Sequence, residues 1–142
     1  MSEQKCFGDL NPEITYIDRT AAYAVILNGV DKVAAVKGSL GYFLPGGGLH
    51  PGETAQQALI REVQEELACG VQIIYEIGRA IQYFYVPSEN CNYNMDAVFF
   101  LAELGVEIDC KAEYELRWIQ IAEASRLLYH QCHAWAVTQA IR

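Results

Sequence analysis

Pro45-Gly46-Gly47-Gly48-Leu49-His50-Pro51-Gly52-Glu53-Thr54 runs directly into Ala55-Gln56-Gln57-Ala58-Leu59-Ile60-Arg61-Glu62-Val63-Gln64-Glu65-Glu66-Leu67-Ala68, and the second half of this stretch has the pattern of a helix. Thr54-x-x-Gln57 has capping-box spacing, in which each side chain satisfies the other residue's free backbone amide. Ala55, Leu59, Val63 and Leu67 recur every four residues and supply a stripe to bury. Ahead of the helix, one proline and three consecutive glycines follow a short strand expected at Gly41–Leu44. They predict irregular backbone whose amides can approach a ligand closely.

The chemistry concentrates on the helix. Glu62, Glu65 and Glu66 stand at i, i+3 and i+4, so their carboxylates project from one face within about one turn. Only Arg61 is close by in sequence to balance them. Like charges at these spacings cost about 0.2–0.5 kcal/mol per pair, and a place in the second half of the helix also opposes the macrodipole. A solvated acidic face is the ordinary explanation of such a run. Clustered oxygen ligands also suit hard divalent cations such as Mg²⁺, which is usually held by a few carboxylates together with phosphates and water. The adjoining glycine loop favours the second explanation, since backbone groups there can meet a phosphate while the cation joins it to the helix.

Outward from this stretch the pattern is strands with helices early and late. Ala21–Leu27 and Lys32–Val36, separated by Asn28-Gly29-Val30-Asp31, predict a hairpin. Val71–Val86 and Met95–Leu104 are long β-rich segments on either side of a loop within Pro87–Asn94, and Leu116–Ile121 is a further short strand. Ala122–Tyr129 and Cys132–Ile141 have helical character, the second with Ala134, Trp135, Val137 and Ile141 as apolar contacts. The order argues an α/β fold, a mixed sheet sandwiched by helices, as a single domain over 1–142.

Composition narrows the function. At 142 residues, 52% hydrophobic and 20% charged, the chain can bury a sizeable core without disulfides. Ten Lys and Arg against eighteen Asp and Glu give a net charge of −8, the wrong sign for a duplex nucleic-acid binder. Any phosphate that binds must bring cations with it. Five cysteines without a C-x-x-C pair, and no apolar leader, are expected of a reduced cytoplasmic protein. The longest apolar runs, such as Ala21–Leu27, fall short of the about 20 residues that span a bilayer, so no membrane partner is expected.

Gly47-x5-Glu53-x7-Arg61-Glu62-Val63-x-Glu65-Glu66 resembles the signature of the Nudix hydrolases, G-x5-E-x7-R-E-U-x-E-E-x-G-U with U a bulky aliphatic residue, at seven specified positions. The flanking Phe43-Leu44-Pro45-Gly46 and Pro51-Gly52 are also similar, and the order of elements matches the family's α/β/α sandwich, so the resemblance covers nearly the whole chain, with the motif at 47–69. One departure stands out: Ala68 occupies the place of the late glycine, with Gly70 two residues on. Because Ala propagates a helix better than Gly by about 0.8–1.0 kcal/mol, the helix is expected to continue about half a turn and end at Gly70.

The resemblance implies MutT-like hydrolysis of a pyrophosphate linkage in a nucleoside diphosphate derivative. It implies Mg²⁺ or Mn²⁺ bound by Glu62, Glu65, Glu66 and the backbone carbonyl of Gly46. Gly46, Gly47 and Gly48 would meet the substrate. Glu53 and Arg61 would interact to orient loop and helix, and Glu62 or Glu65 would orient or deprotonate the attacking water. A further metal-binding glutamate would come from Glu113 or Glu115, ahead of Trp118. The alternative is a catalytically inactive module of the same fold that binds nucleotides or regulates.

Other features carry less. His130 and His133 flank Cys132 without a second ligand pair, which favours a structural or substrate-edge role over zinc. Tyr83, Phe84, Tyr85 and Tyr93 form an aromatic cluster, some members of which face the core while others are free to stack a base or line a pocket. Tyr85 and Pro87 both fall where the family's subclasses differ, so those signals cancel. The short chain is expected to lack the extra N-terminal domain that resembles dimeric ADP-ribose hydrolases, which favours a compact MutT-like enzyme, monomeric or homodimeric.

Overall fold

The computed structural model describes residues 4–142; residues 1–3 of the domain expected over 1–142 lie outside it. Its centre is a mixed sheet of five strands: β1 (Lys5–Phe7), β2 (Tyr16–Val25), β6 (Gly46–Gly48), β7 (Cys69–Val86) and β8 (Cys91–Glu107). The spatial order is β1-β7-β8-β2-β6. β2 lies parallel to β8 and antiparallel to β6, β1 parallel to β7, and β7 and β8 form one long hairpin with three register shifts. A second, smaller sheet holds β3 (Leu27–Asn28), β4 (Lys32–Gly38), β5 (Gly41–Phe43) and β9 (Arg117–Gln120). The helices are α1 (Ala55–Leu67), α2 (Ala124–Leu127), preceded by one 3₁₀ turn at Ile121–Glu123, and α3 (Gln131–Ala140).

The apolar runs of β2, β4 and β8 have no period because both faces of these strands are buried along them. Along β2, Ala21, Tyr23 and Val25 enter one core, while Ala22 and Ala24 enter the other, joined by Ile26 just beyond the strand. β4 divides in the same way, with Val33 and Ala35 opposed to Ala34 and Val36, and so does β8, with Ala97 and Phe99 opposed to Val98 and Phe100. α1 covers one face through Leu59, Val63 and Leu67; α3 covers the other through Cys132, Ala136 and Val137. The result is the expected α/β/α sandwich around a mixed sheet.

Several expectations need correction. The Ala21–Leu27 strand divides near Ile26: β2 stays in the large sheet, and only Leu27–Asn28 pairs antiparallel with β4. Gly46–Gly48 is not irregular, since it forms a short strand against Tyr23–Ala21. The expected helix over 122–129 shrinks to the 3₁₀ turn and the four residues of α2. α3 buries Cys132, His133, Ala136 and Val137, whereas Ile141 is 51% exposed. Ala134, Trp135 and Val137 do pack against the core as expected, and His133 joins them, held by the Leu44 amide, which donates to its Nδ1 at 3.1 Å.

Candidate active site

Thr54 caps α1 as its spacing predicts, with the Gln57 amide donating to its Oγ1 at 3.1 Å and its own amide donating to Gln57 Oε1 at 3.0 Å. At the other end the expectation fails, because Ala68 adopts φ 54°, ψ 41° and stops the helix two residues before Gly70. The cause lies in the loop before β9. The Ile108, Glu113 and Tyr114 amides donate to the carbonyls of Ala68, Glu65 and Glu66 at 2.7, 3.1 and 2.9 Å, so the last turn is satisfied from outside. These bonds also set Glu113 beside the helix. Glu115 is turned away toward Arg117, at 3.6 Å and mostly exposed.

Arg61 organises the face before it. Its Nε and Nη2 donate to the two oxygens of Glu53 at 2.7 and 2.9 Å, a bidentate pair. Nη2 also donates to the Gly48 carbonyl at 3.0 Å, and Nη1 to Glu62 Oε1 at 3.0 Å and to Glu65 Oε2 at 3.3 Å. The guanidinium, helped by the His50 amide 2.7 Å from Oε1, holds the Glu53 carboxyl down to about 2. Helix and glycine strand are thereby tied together.

The three helix glutamates do not share one environment. Glu66 is only 8% exposed and accepts from the Gly46 amide at 2.9 Å; burial, only partly offset by that bond, pushes its pKa up to about 8. Glu62 is half-buried under Gly47, and burial raises its pKa despite Arg61. Glu65 is nearly half exposed and pairs with Arg61. Glu62, Glu66 and Glu113 border one cleft of about 400 Å³ with Gly46 and Gly47, while Glu65 and Glu113 border an adjoining hollow.

The cleft also has an aromatic lining. Phe43, Phe84, Tyr129 and His130 line it, with Phe84 4.6 Å from His130 between ring centroids. Burial holds His130 down to about 4 and His133 well below its usual value, so both rings are neutral near pH 7 and neither has the company of a zinc site. Tyr93 stacks on Phe84 at 5.3 Å and Tyr85 bonds Asn90 at 2.7 Å, and neither lines the cleft itself. Sequence reasoning missed Arg19, Tyr23, Phe43 and Tyr129 as cleft residues. Only Phe43 falls in the stretch that flanks the motif; the others arrive through the pairing of β2 with β6 and through the Tyr129 amide bonding the Tyr42 carbonyl at 2.8 Å.

A divalent cation fits the chemistry of the carboxylates that line the cleft. The donors are hard oxygens, and Glu62 and Glu66 carry raised pKa values that a positive charge would relieve. The side chains do not converge as they stand: among the described residues no three His, Cys, Asp or Glu side chains are gathered to hold an ion. Among these residues, too, no helix is long and apolar enough to cross a membrane.

The model of the NUDIX domain family matches residues 18–139. The MutT4 protein of Mycobacterium tuberculosis is 32% identical over an alignment covering 80% of this chain and 51% of its own, so this chain spans about half the length of that curated relative. Among solved structures, a NUDIX hydrolase from Nitrosomonas europaea aligns with TM-score 0.66 and 20% identity over 87% of this chain and 88% of its own. A MutT NUDIX hydrolase from Burkholderia pseudomallei gives 0.67 and 20% over 87% and 98%. An ADP-ribose pyrophosphatase from Streptococcus suis gives 0.63 and 20% over 87% and 92%. At such identities the structural likeness is one of fold.

Proposed function

We propose that this chain, which belongs to the NUDIX domain family, is a divalent-metal-dependent pyrophosphohydrolase acting on a nucleoside diphosphate derivative. The observation that carries the proposal is a single cleft lined both by Glu62, Glu66 and Glu113 with Gly46 and Gly47 and by Phe84, Tyr129 and His130. Such a cleft matches a molecule that has a flat ring at one end and phosphates at the other.

The Gly46 carbonyl, Glu62, Glu65, Glu66 and Glu113 would hold Mg²⁺ or Mn²⁺, which neutralises phosphate oxygens and lowers the pKa of bound water. Gly46–Gly48 let the substrate approach the backbone, and Arg61, clamped by Glu53, keeps that strand and α1 in fixed relation. Water attacks one phosphorus of the P–O–P bridge, the bridging bond breaks, and the departing phosphate leaves with the electron pair. Glu62 is better placed than Glu65 to take the water's proton, because it borders the cleft and its Oε2 is free of the bond that Arg61 makes to Oε1. Glu65, paired with Arg61, would reach a cation from the adjoining hollow that it borders with Glu113.

The test is a screen of nucleoside and deoxynucleoside triphosphates, oxidised dGTP, dinucleoside polyphosphates, ADP-ribose and nucleotide sugars with Mg²⁺ and with Mn²⁺, reading released nucleotide. At least one should be hydrolysed, with activity abolished by EDTA and reduced at least about a hundredfold in Glu66→Gln, which keeps an acceptor for the Gly46 amide but cannot ionise to a carboxylate when a cation binds. No turnover of any compound with either metal would point to the binding or regulatory alternative instead.

A further inference from the structure

Arg19 is the one arginine or lysine among the residues lining the 400 Å³ cleft, in a chain of net charge −8. It lies on β2 two residues before Ala21, which pairs with Gly48. The guanidinium rests on that glycine: a Cβ at position 48 would stand 3.3 Å from both its Nε and its Nη2. Among the described residues it has no hydrogen-bond or ion-pair partner, although Asp18 and Asp96 border a hollow with it.

Both groups that line the cleft have members near Arg19. It shares a further hollow with Gly48 and Glu62, and its guanidinium is 6.0 Å from the ring of Tyr93, which stacks on Phe84 at 5.3 Å, with Phe84 edge-on to His130 at 4.6 Å. Its positive charge is felt at both Tyr23 and His130. A planar fork of donors matches two oxygens of one phosphate, which a lysine ammonium cannot do.

Resting on the reading of the cleft as a nucleotide site, we propose that Arg19 is a positioning residue that binds the phosphate attached directly to the nucleoside. The distal phosphates are thereby left to the carboxylates. Arg19 sets which phosphorus lies beside Glu62, and it retains the nucleoside monophosphate after the bridge is cut.

Titration of the protein in EDTA with AMP, GMP, CMP and UMP and with the four matching nucleosides, followed by amide chemical shifts, separates this role from the metal's. In the wild type the best monophosphate should bind roughly ten- to a hundredfold tighter than its nucleoside, as one charge-assisted bidentate contact supplies. Arg19→Gln should bring that ratio near one with nucleoside affinity unchanged, and Arg19→Lys should fall between. The same ratio in wild type and Arg19→Gln, a wild-type ratio of one, or no binding at all would overturn the proposal. So would a fall in melting temperature with the ratio unmoved, which would make Arg19 a counter-ion for Asp96, whose Oδ1 has no partner. The titration needs no turnover, so a substrate screen that fails leaves it decisive, and a screen that succeeds beside a flat titration removes Arg19 alone.

Discussion

Ala68 ends α1 in the left-handed region at φ 54°, where a Cβ crowds the following carbonyl at a cost of roughly 1–2 kcal/mol. Helix propensity alone carries the helix on to Gly70, and it loses because it counts only intrahelical bonds. Three amides of the loop that follows β8, from Ile108, Glu113 and Tyr114, claim the carbonyls of the last turn. Ala68→Gly should therefore stabilise the protein, by about 0.5–1 kcal/mol once the extra freedom of glycine in the unfolded chain is subtracted. For a chain of this size that is a rise in melting temperature of about 2–4 °C. Scanning calorimetry of the two proteins checks it, and a lower melting temperature for the glycine variant would mean that the strain is relieved elsewhere.

The elements that were legible are those whose pattern is local: α1 from its cap and its four-residue stripe, and β7 and β8 from two β-rich runs around Pro87–Asn94, although β8 already begins at Cys91, inside the expected loop. What was not legible depends on partners far away. No pattern inside Ala21–Val25 indicates that β2 lies parallel to β8, and three glycines have no strand preference of their own, so β6 exists because β2 offers it an edge. The same distance separates the site residues. The glutamates on α1 announce themselves by spacing, whereas Arg19, Tyr23 and Tyr129 need the sheet to be assembled first. Within β6 neighbouring glycines serve different ends. A Cβ at Gly46, where φ is +139°, would stand 2.1 Å from the Ala22 carbonyl oxygen, which cannot give way without breaking the sheet. A Cβ at Gly47 would meet the Glu62 carboxylate at 2.8 Å, the end of a flexible side chain. Gly46→Ala should cost about 3 kcal/mol or more in urea unfolding, while Gly47→Ala should cost under about 1 kcal/mol yet lower turnover at least about tenfold by displacing Glu62. Equal stability losses at both positions would show that β6 tolerates a side chain at neither, and that Gly47 is kept for packing.

At the scale of the molecule, a net charge of −8 makes any cation stabilising, so a metal site must be distinguished from general screening. The distinction is available because only a site adds a specific term: a cation that binds the native state and not the unfolded chain contributes RT ln(1 + [L]/Kd), which for Kd about 1 mM and about 10 mM Mg²⁺ is roughly 1.4 kcal/mol. Against NaCl of matched ionic strength this should raise the melting temperature by about 4 °C. The triple change Glu62→Gln, Glu65→Gln, Glu66→Gln removes the ligands while keeping their size. It leaves Arg61 its bidentate partner Glu53 and the Gly46 amide an acceptor at 66, so the fold should survive. In that variant the shift specific to Mg²⁺ should vanish and the response to NaCl should persist, since most of the charge lies elsewhere on the surface. If wild type and triple variant shift equally, the cations act on the charge of the whole molecule. The carboxylate face of α1 would then be solvated surface, and the metal would have to be carried in by the substrate.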